Sequence, residues 1–212
     1  AVTTGTNNTL IGGLAGDAIT EGTYNTALGF TALGANTTAT NNVAVGAFAL
    51  GANTTGEANT AVGLAALDAN TTGSSNVAVG RDTLTTDTLG SKSTAVGTGA
   101  LANQNFTTAT DTANTAVGFS AGGNLTTGIN NTLMGFEAGD ALTDADFNVA
   151  MGRRALYSST KGNKSVAIGM NALHNSNHTT ATDTYNVAVG NQAGNFHTTG
   201  TLNVLIGADA GL

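Results

Sequence analysis

Residues 42–50 read Asn42-Val43-Ala44-Val45-Gly46-Ala47-Phe48-Ala49-Leu50, and with few substitutions this stretch returns twelve times along the chain. Its glycines are Gly12, Gly29, Gly46, Gly63, Gly80, Gly97, Gly118, Gly135, Gly152, Gly169, Gly190 and Gly207. Successive glycines are 17 residues apart, except Gly97 to Gly118 and Gly169 to Gly190, which are 21 apart. A period this short and strict assigns one turn of chain to each repeat, with the turns stacked along an axis. A length of 212 residues alone would suggest one or two globular domains. The repeat makes it a single repeat domain over 1–212, read as the ordered part of a longer fibre chain because it starts without Met and stops inside a repeat.

Counting from the asparagine, Asn42 to Gly46 occupy columns 1 to 5 of the repeat. Val43 and Val45 are β-branched and alternate with Ala44, which is a strand pattern. Column 4 is apolar in every repeat and is expected to face the interior, so Val45, Val62, Val79, Val96, Val117, Ile168 and Val189 form the expected core. Column 2, half Thr and half Val, lies on the same face near a rim. Column 3, on the opposite face, is Ala nine times and Leu three times (Leu10, Leu133, Leu205), whereas a solvated strand face should be polar. An alanine row lets another backbone approach closely. Ala44, Ala61, Ala78 and Ala95 are therefore expected at a subunit interface, with a second layer of the same chain as the alternative.

All three repeats with Leu in column 3 carry Gly in column 9 (Gly16, Gly139, Gly211), and most others pair Ala with Leu, as Ala27 with Leu33. Large with small and small with large is volume compensation, so these two columns should touch, within one chain or across chains. The repeated column-5 glycine marks a bend into a second short strand, followed by an Asn/Thr/Gly connector such as 34–41. The expected fold is all-β: a parallel β-solenoid or β-roll of twelve 17-residue rungs, about 4.8 Å apart and spanning roughly 55–60 Å. Residues 17 apart should then stack, which places Glu137 under Arg154 and Asp144 under Lys161.

Charged residues make up 9% of the chain against about 25% in ordinary globular proteins, while 40% are hydrophobic and recur at fixed positions, unlike a disordered chain. Proline, which cannot donate to a strand ladder, is absent. A net charge of −7 argues against nucleic-acid binding, and no apolar run reaches the length of a membrane helix. With no cysteine there is neither a disulfide framework nor a thiol metal site. No catalytic set emerges, so neither an enzyme nor a cofactor is expected. His174, His178 and His197 read as loop histidines in water, and Asp140, Asp144 and Asp146 lack the spacing of a calcium loop. The basic cluster Arg153, Arg154, Lys161 and Lys164 could grip an acidic polysaccharide, but the 17-residue pairs point to neutralisation by the preceding rung.

Two rungs carry four extra residues, within 102–113 and 174–185, and both contain Thr-Thr-Ala-Thr-Asp-Thr. Ordinary rungs close without them. The insertions are expected to bulge outward as two collars, with Phe106, Thr108, Asp111, His178, Thr180 and Asp183 as candidate binding residues.

The motif Asn-Thr-Ala-Val-Gly-x-x-Ala-Leu with an Asn-Thr-Thr-Gly connector resembles repeats of phage and bacterial fibre proteins, many of which end in an endosialidase-type chaperone domain. It is also similar to the head repeats of trimeric autotransporter adhesins, most closely at Ser165-Val166-Ala167-Ile168-Gly169. The adhesin resemblance implies a left-handed roll and three chains around one axis. The fibre resemblance implies a tail or capsid fibre on the virion surface that contacts a host glycan or protein and joins other virion proteins. The expected function is thus a structural and adhesive fibre segment of a virion, assembled as a homotrimer. A bacterial surface adhesin head is the alternative, and an ice-binding solenoid a more distant one.

Overall fold

The computed structural model describes residues 4–212, and among these no helix is present. Accordingly, none is long and apolar enough to cross a membrane. The chain divides into two compact units, the first ending at Thr112 and the second beginning at Ala113. In the first unit the strands Thr9–Ile11, Thr26–Leu28, Val43–Val45, Thr60–Val62, Val77–Val79 and Thr94–Val96 lie parallel, each in register with the residue 17 further on, as in Ala44↔Ala61. The second unit repeats this with Thr115–Val117, Thr132–Met134, Val149–Met151, Val166–Ile168, Val187–Val189 and Val204–Ile206. Each insertion adds one two-residue parallel pair, Gly90–Ser91 with Thr110–Asp111 and Gly162–Asn163 with Thr182–Asp183. The fold is a parallel β-solenoid of twelve turns, six in each unit.

Hydrogen bonding does not stop where the strands stop. Phe48 N–H donates to Phe30 C=O (2.9 Å), Leu50 N–H to Ala66 C=O (3.0 Å), Thr54 N–H to Thr71 C=O (2.9 Å) and Ala58 N–H to Thr40 C=O (3.1 Å). Nearly the whole rung is thus tied to the rungs above and below. A proline at any of these positions would delete a donor.

The two faces of the strand are the reverse of the sequence expectation. Column 3 points inward: Ala44, Ala61, Ala78 and Ala95 are fully buried within the single chain, so they are lining of the lumen and not a subunit interface. Column 4 points outward: Val45, Val62, Val79, Val96, Val117 and Val189 are half-buried and Ile168 is exposed, so they are not the core. The reason is the width of the coil. A 17-residue rung encloses so little space that two facing rows of bulky residues would overpack it. The lumen takes alanine from columns 3 and 8 and one large residue, leucine, from column 9, as in Ala44, Ala49 and Leu50, all fully buried.

The expected volume compensation is present inside each chain. A Cβ on Gly139 would lie 2.8 Å from Leu133 Cδ2 and 2.9 Å from Leu142 Cδ1. Column 12 joins the exchange. Rungs with leucine in column 9 carry a polar column 12, such as Asn36, Asn53 or Asn70, whereas glycine in column 9 goes with Ile19, Leu125, Leu142 or His197. The buried polar side chains are themselves paired. Asn42 Oδ1 accepts from Asn59 N–H (2.9 Å) and Asn42 Nδ2 donates to Gly56 C=O (2.9 Å). The same column-1 ladder runs from Asn8 to Ser93 in the first unit. In the second it runs from Asn114 to Ser165 and again from Asn186 to Asn203.

The second strand expected after the glycine does not form. Columns 7 and 9 adopt left-handed backbone angles, with φ of +61° at Phe48 and +50° at Leu50, and so does column 17, as at Ala58 (+55°). These tight corners are what allow so few residues to close a turn. Non-glycine residues in this region are strained by about 1–2 kcal/mol each. The lateral hydrogen bonds at Phe48 and Leu50 hold them there.

Two stability predictions follow. Gly135 has φ +135°, and its Cβ would sit 2.6 Å from Gly152 C=O, so Gly135→Ala should lose about 3 kcal/mol or more, whereas Ala65→Gly at φ +55° should be neutral or raise the melting temperature. Leu133→Ala and Gly139→Leu should each destabilise by about 2–4 kcal/mol. Combined with Leu142→Asn they convert the rung to the Ala44/Leu50/Asn53 type, and the triple variant should recover most of the loss in thermal melts. A triple variant as unstable as the sum of its parts would refute the coupling of these columns.

Candidate functional site

The insertions are docked segments with short projecting tips. Asp87 stands in column 12 where the three preceding rungs have Asn36, Asn53 and Asn70, and its Oδ1 accepts from Gly90 N–H and Phe106 N–H, both at 3.1 Å. Gln104 Nε2 donates to Asp87 Oδ2 at 2.5 Å. This brings the Phe106 side chain down onto the coil, where it is 7% exposed. In the second insertion His178 takes the same place, 6% exposed, with its C=O accepting from Lys161 N–H (2.9 Å) and Thr160 Oγ1 (2.8 Å). Phe106 and His178 are therefore anchors of the insertions and not the exposed contact residues expected from sequence, and His178 is not a histidine in water. Each insertion had to bury one large ring to secure four extra residues to a narrow coil.

What projects is Thr107-Thr108-Ala109 in the first insertion and Thr179-Thr180-Ala181 in the second, all exposed. Thr108 C=O accepts from Thr110 Oγ1 (3.0 Å) and Thr180 C=O from Thr182 Oγ1 (2.9 Å), so both tips have the same local turn. Asp111 pairs with Lys92 and Asp183 with Lys164, each at 2.5 Å. Lys164 Nζ also lies 5.2 Å from the centre of the Tyr185 ring. The Lys164 hydrogen bond holds the Asp183 carboxyl below its ordinary pKa and raises that of Lys164. Of the six sequence candidates, Thr108 and Thr180 are free at the tips, and Asp111 and Asp183 are exposed but paired.

The basic cluster is largely neutralised. Arg154 Nε meets Glu137 Oε2 at 2.6 Å and Lys161 meets Asp144 at 3.2 Å, both one rung back as the 17-residue register requires. Lys164 is paired with Asp183, a residue of the insertion. The Arg153 guanidinium sits 5.9 Å from the centre of the Phe136 ring, which stacks on Phe119 at 5.4 Å. His174 is stacked on Tyr157 at 5.0 Å and 7°. Among the described residues no three His, Asp or Glu side chains are grouped to hold a metal ion, and no pocket opens.

The surface that sequence reasoning missed is the outer face of the strands. Columns 2 and 4 contain no charged residue in any of the twelve rungs. In the first unit the face carries Leu28, Val45 and Val62 beside Phe30, Phe48 and Leu64; in the second, Met134, Met151 and Ile168 lie beside Phe119, Phe136 and Met170. Phe30 and Phe48 meet edge to face at 5.5 Å. The missing charge in two alternate columns was the signal, since solvated strand faces carry charge.

Asp87 yields a pH prediction. Burial pushes its carboxyl above the ordinary value against the opposing hydrogen bonds from Gln104, Phe106, Gly90 and Leu89. A raised folded pKa means that this group's stabilising contribution is present below the ordinary value of 3.8 and lost as pH rises through the folded value. Asp87→Asn, which restores the residue type of Asn36, Asn53 and Asn70, should raise the melting temperature at neutral pH and flatten its dependence on pH in the acid range. A lower melting temperature at neutral pH with the slope unchanged would contradict this.

Compared with protein-family models, curated proteins and solved structures, the chain matches none.

Proposed function

We propose that this chain is a structural and adhesive fibre segment of a virion, assembled as a homotrimer through the outer faces of its strands. The observation that carries the reading is the uncharged, apolar pair of columns 2 and 4, with Leu28 45% exposed and Met134 38% exposed on an otherwise acidic chain. A parallel sheet is ordinarily covered on both faces, and an exposed apolar strip rimmed by polar loops marks an interaction surface. A second copy of the same chain is the occupant that fits. Its own face offers the same rows at the same rung spacing, and columns 2 and 4 bring no charge to desolvate; Arg81 and Arg153 stand beside them in column 6. The threonine tips at Thr108 and Thr180 lie at the ends of the docked insertions, where a host glycan or protein would be met. The repeat's resemblance to fibre proteins supports the virion setting.

Light scattering at micromolar concentration should give three chains per particle. Val62→Lys, harmless to a lone coil because Val62 is half-exposed, should weaken the assembly by about 3 kcal/mol or more by placing an unpaired charge in the interface. The β-sheet circular dichroism should persist. A stable wild-type monomer would overturn the assembly, and antibodies that label a bacterial envelope in place of virions would move the segment to the adhesin reading.

A further inference from the structure

The two insertions share their sequence frame and differ in how they are fastened. Position by position, Gln104 corresponds to Ser176 and Phe106 to His178, and beneath them Asp87 corresponds to Ser159. The first set is complete: carboxylate, amide and two backbone N–H groups are mutually paired around a buried phenyl ring. The second set is not. Ser159 Oγ and Ser176 Oγ are buried without a protein hydrogen-bond partner, and so is His178 Nε2. His197, in column 12 of the next rung, has its Nδ1 buried and unpartnered, while its Nε2 is 2.9 Å from Asn203 Nδ2. No hydrogen-bond acceptor lies within reach of His178 Nε2.

We infer that residues 174–185 form an acid-operated latch: the neutral His178 ring holds the insertion on the coil, and a proton on that ring releases it, while the phenyl-anchored 102–113 stays closed. The geometry supplies both halves. The neutral ring fills the place of a phenyl and leaves an uncharged Nε2 without a partner. An imidazolium would place its charge beside a second histidine, with no acceptor at Nε2 to receive the N–H. The titratable side chain acting on His178 is His197. Lys161, whose N–H holds the His178 carbonyl, keeps its ammonium on Asp144 at 3.2 Å, and Asp183 is engaged by Lys164 at 2.5 Å.

Burial first and His197 second push His178 below its ordinary pKa of 6.5. A depressed histidine pKa gives stability that is complete above the ordinary value and lost as pH falls below it. Each unit of pH below 6.5 should then raise the open population of the latch, by at most about tenfold, until the closed form also binds the proton.

The insertions provide their own control. Thr184 N–H donates to Asn163 C=O (3.0 Å) and Thr112 N–H donates to Ser91 C=O (2.9 Å), the same bond in the two latches. Amide hydrogen exchange on the intact chain, corrected for intrinsic chemistry, should show protection at Thr184 falling as pH drops below 6.5, by up to about tenfold per unit, while protection at Thr112 does not fall. His178→Phe should make Thr184 behave like Thr112. His174→Gln, which alters the ring stacked on Tyr157, should leave the acid response in place. Equal pH dependence at Thr184 and Thr112 in the wild-type chain would overturn the proposal without recourse to a variant, as would an acid response that survives in His178→Phe.

Discussion

The lumen of this coil admits one bulky side chain per rung from its two facing strips, and the rest of the structure follows from that limit. The limit comes from the backbone. Because hydrogen bonds run around nearly the whole rung and not only along its strand, each turn must trace the path of the turn below. It cannot widen to accept a larger residue. Alanine opposite leucine, or leucine opposite glycine, is what fits, and column 12 adjusts with them, as Leu50 with Asn53 and Gly139 with Leu142. Large aliphatic residues with no room inside are displaced outward to column 4 and become surface. A narrow solenoid therefore inverts the usual placement of size, with small residues within and large ones without.

This inversion marks where sequence reasoning succeeded and where it did not. The repeat, the rung and the register were legible. Spacing alone placed Arg154 over Glu137 and Lys161 over Asp144, and the ion pairs are there. The exchange of Leu133 with Gly139 was legible too, and it already held the answer on orientation, since two columns that trade volume within one rung must face each other across its interior. The habit of assigning the larger apolar residue to the core outweighed it. The left-handed corners were hidden for a different reason. Leu50 and Phe48 are residues that disfavour such angles, and only the lateral hydrogen bonds impose them. At the insertions, Thr108 and Thr180 were placed correctly at the surface, but Phe106 and His178 were not, because their burial depends on Asp87 and Lys161 in the preceding rung.

The outer face and the insertions divide the labour of the surface. The strands present a strip without charge that suits close contact with like copies. The loops gather the charges and pair them, so the ends of the insertions display threonine hydroxyls above neutralised ion pairs. On the proposed reading, polar recognition and apolar assembly draw on different columns of one repeat, and either can vary without rebuilding the other.

The asparagine ladder of column 1 has a mechanical consequence. Each asparagine clamps two successive rungs through one side chain, and clamps in series act as a spine. At Ser93 and Ser165 a hydroxyl stands in this column, and it pairs with Thr112 and with Thr184. Rungs in a solenoid are held by their neighbours alone, so within each unit a clamp repeated rung after rung shares a pull among many small links in place of one strong one.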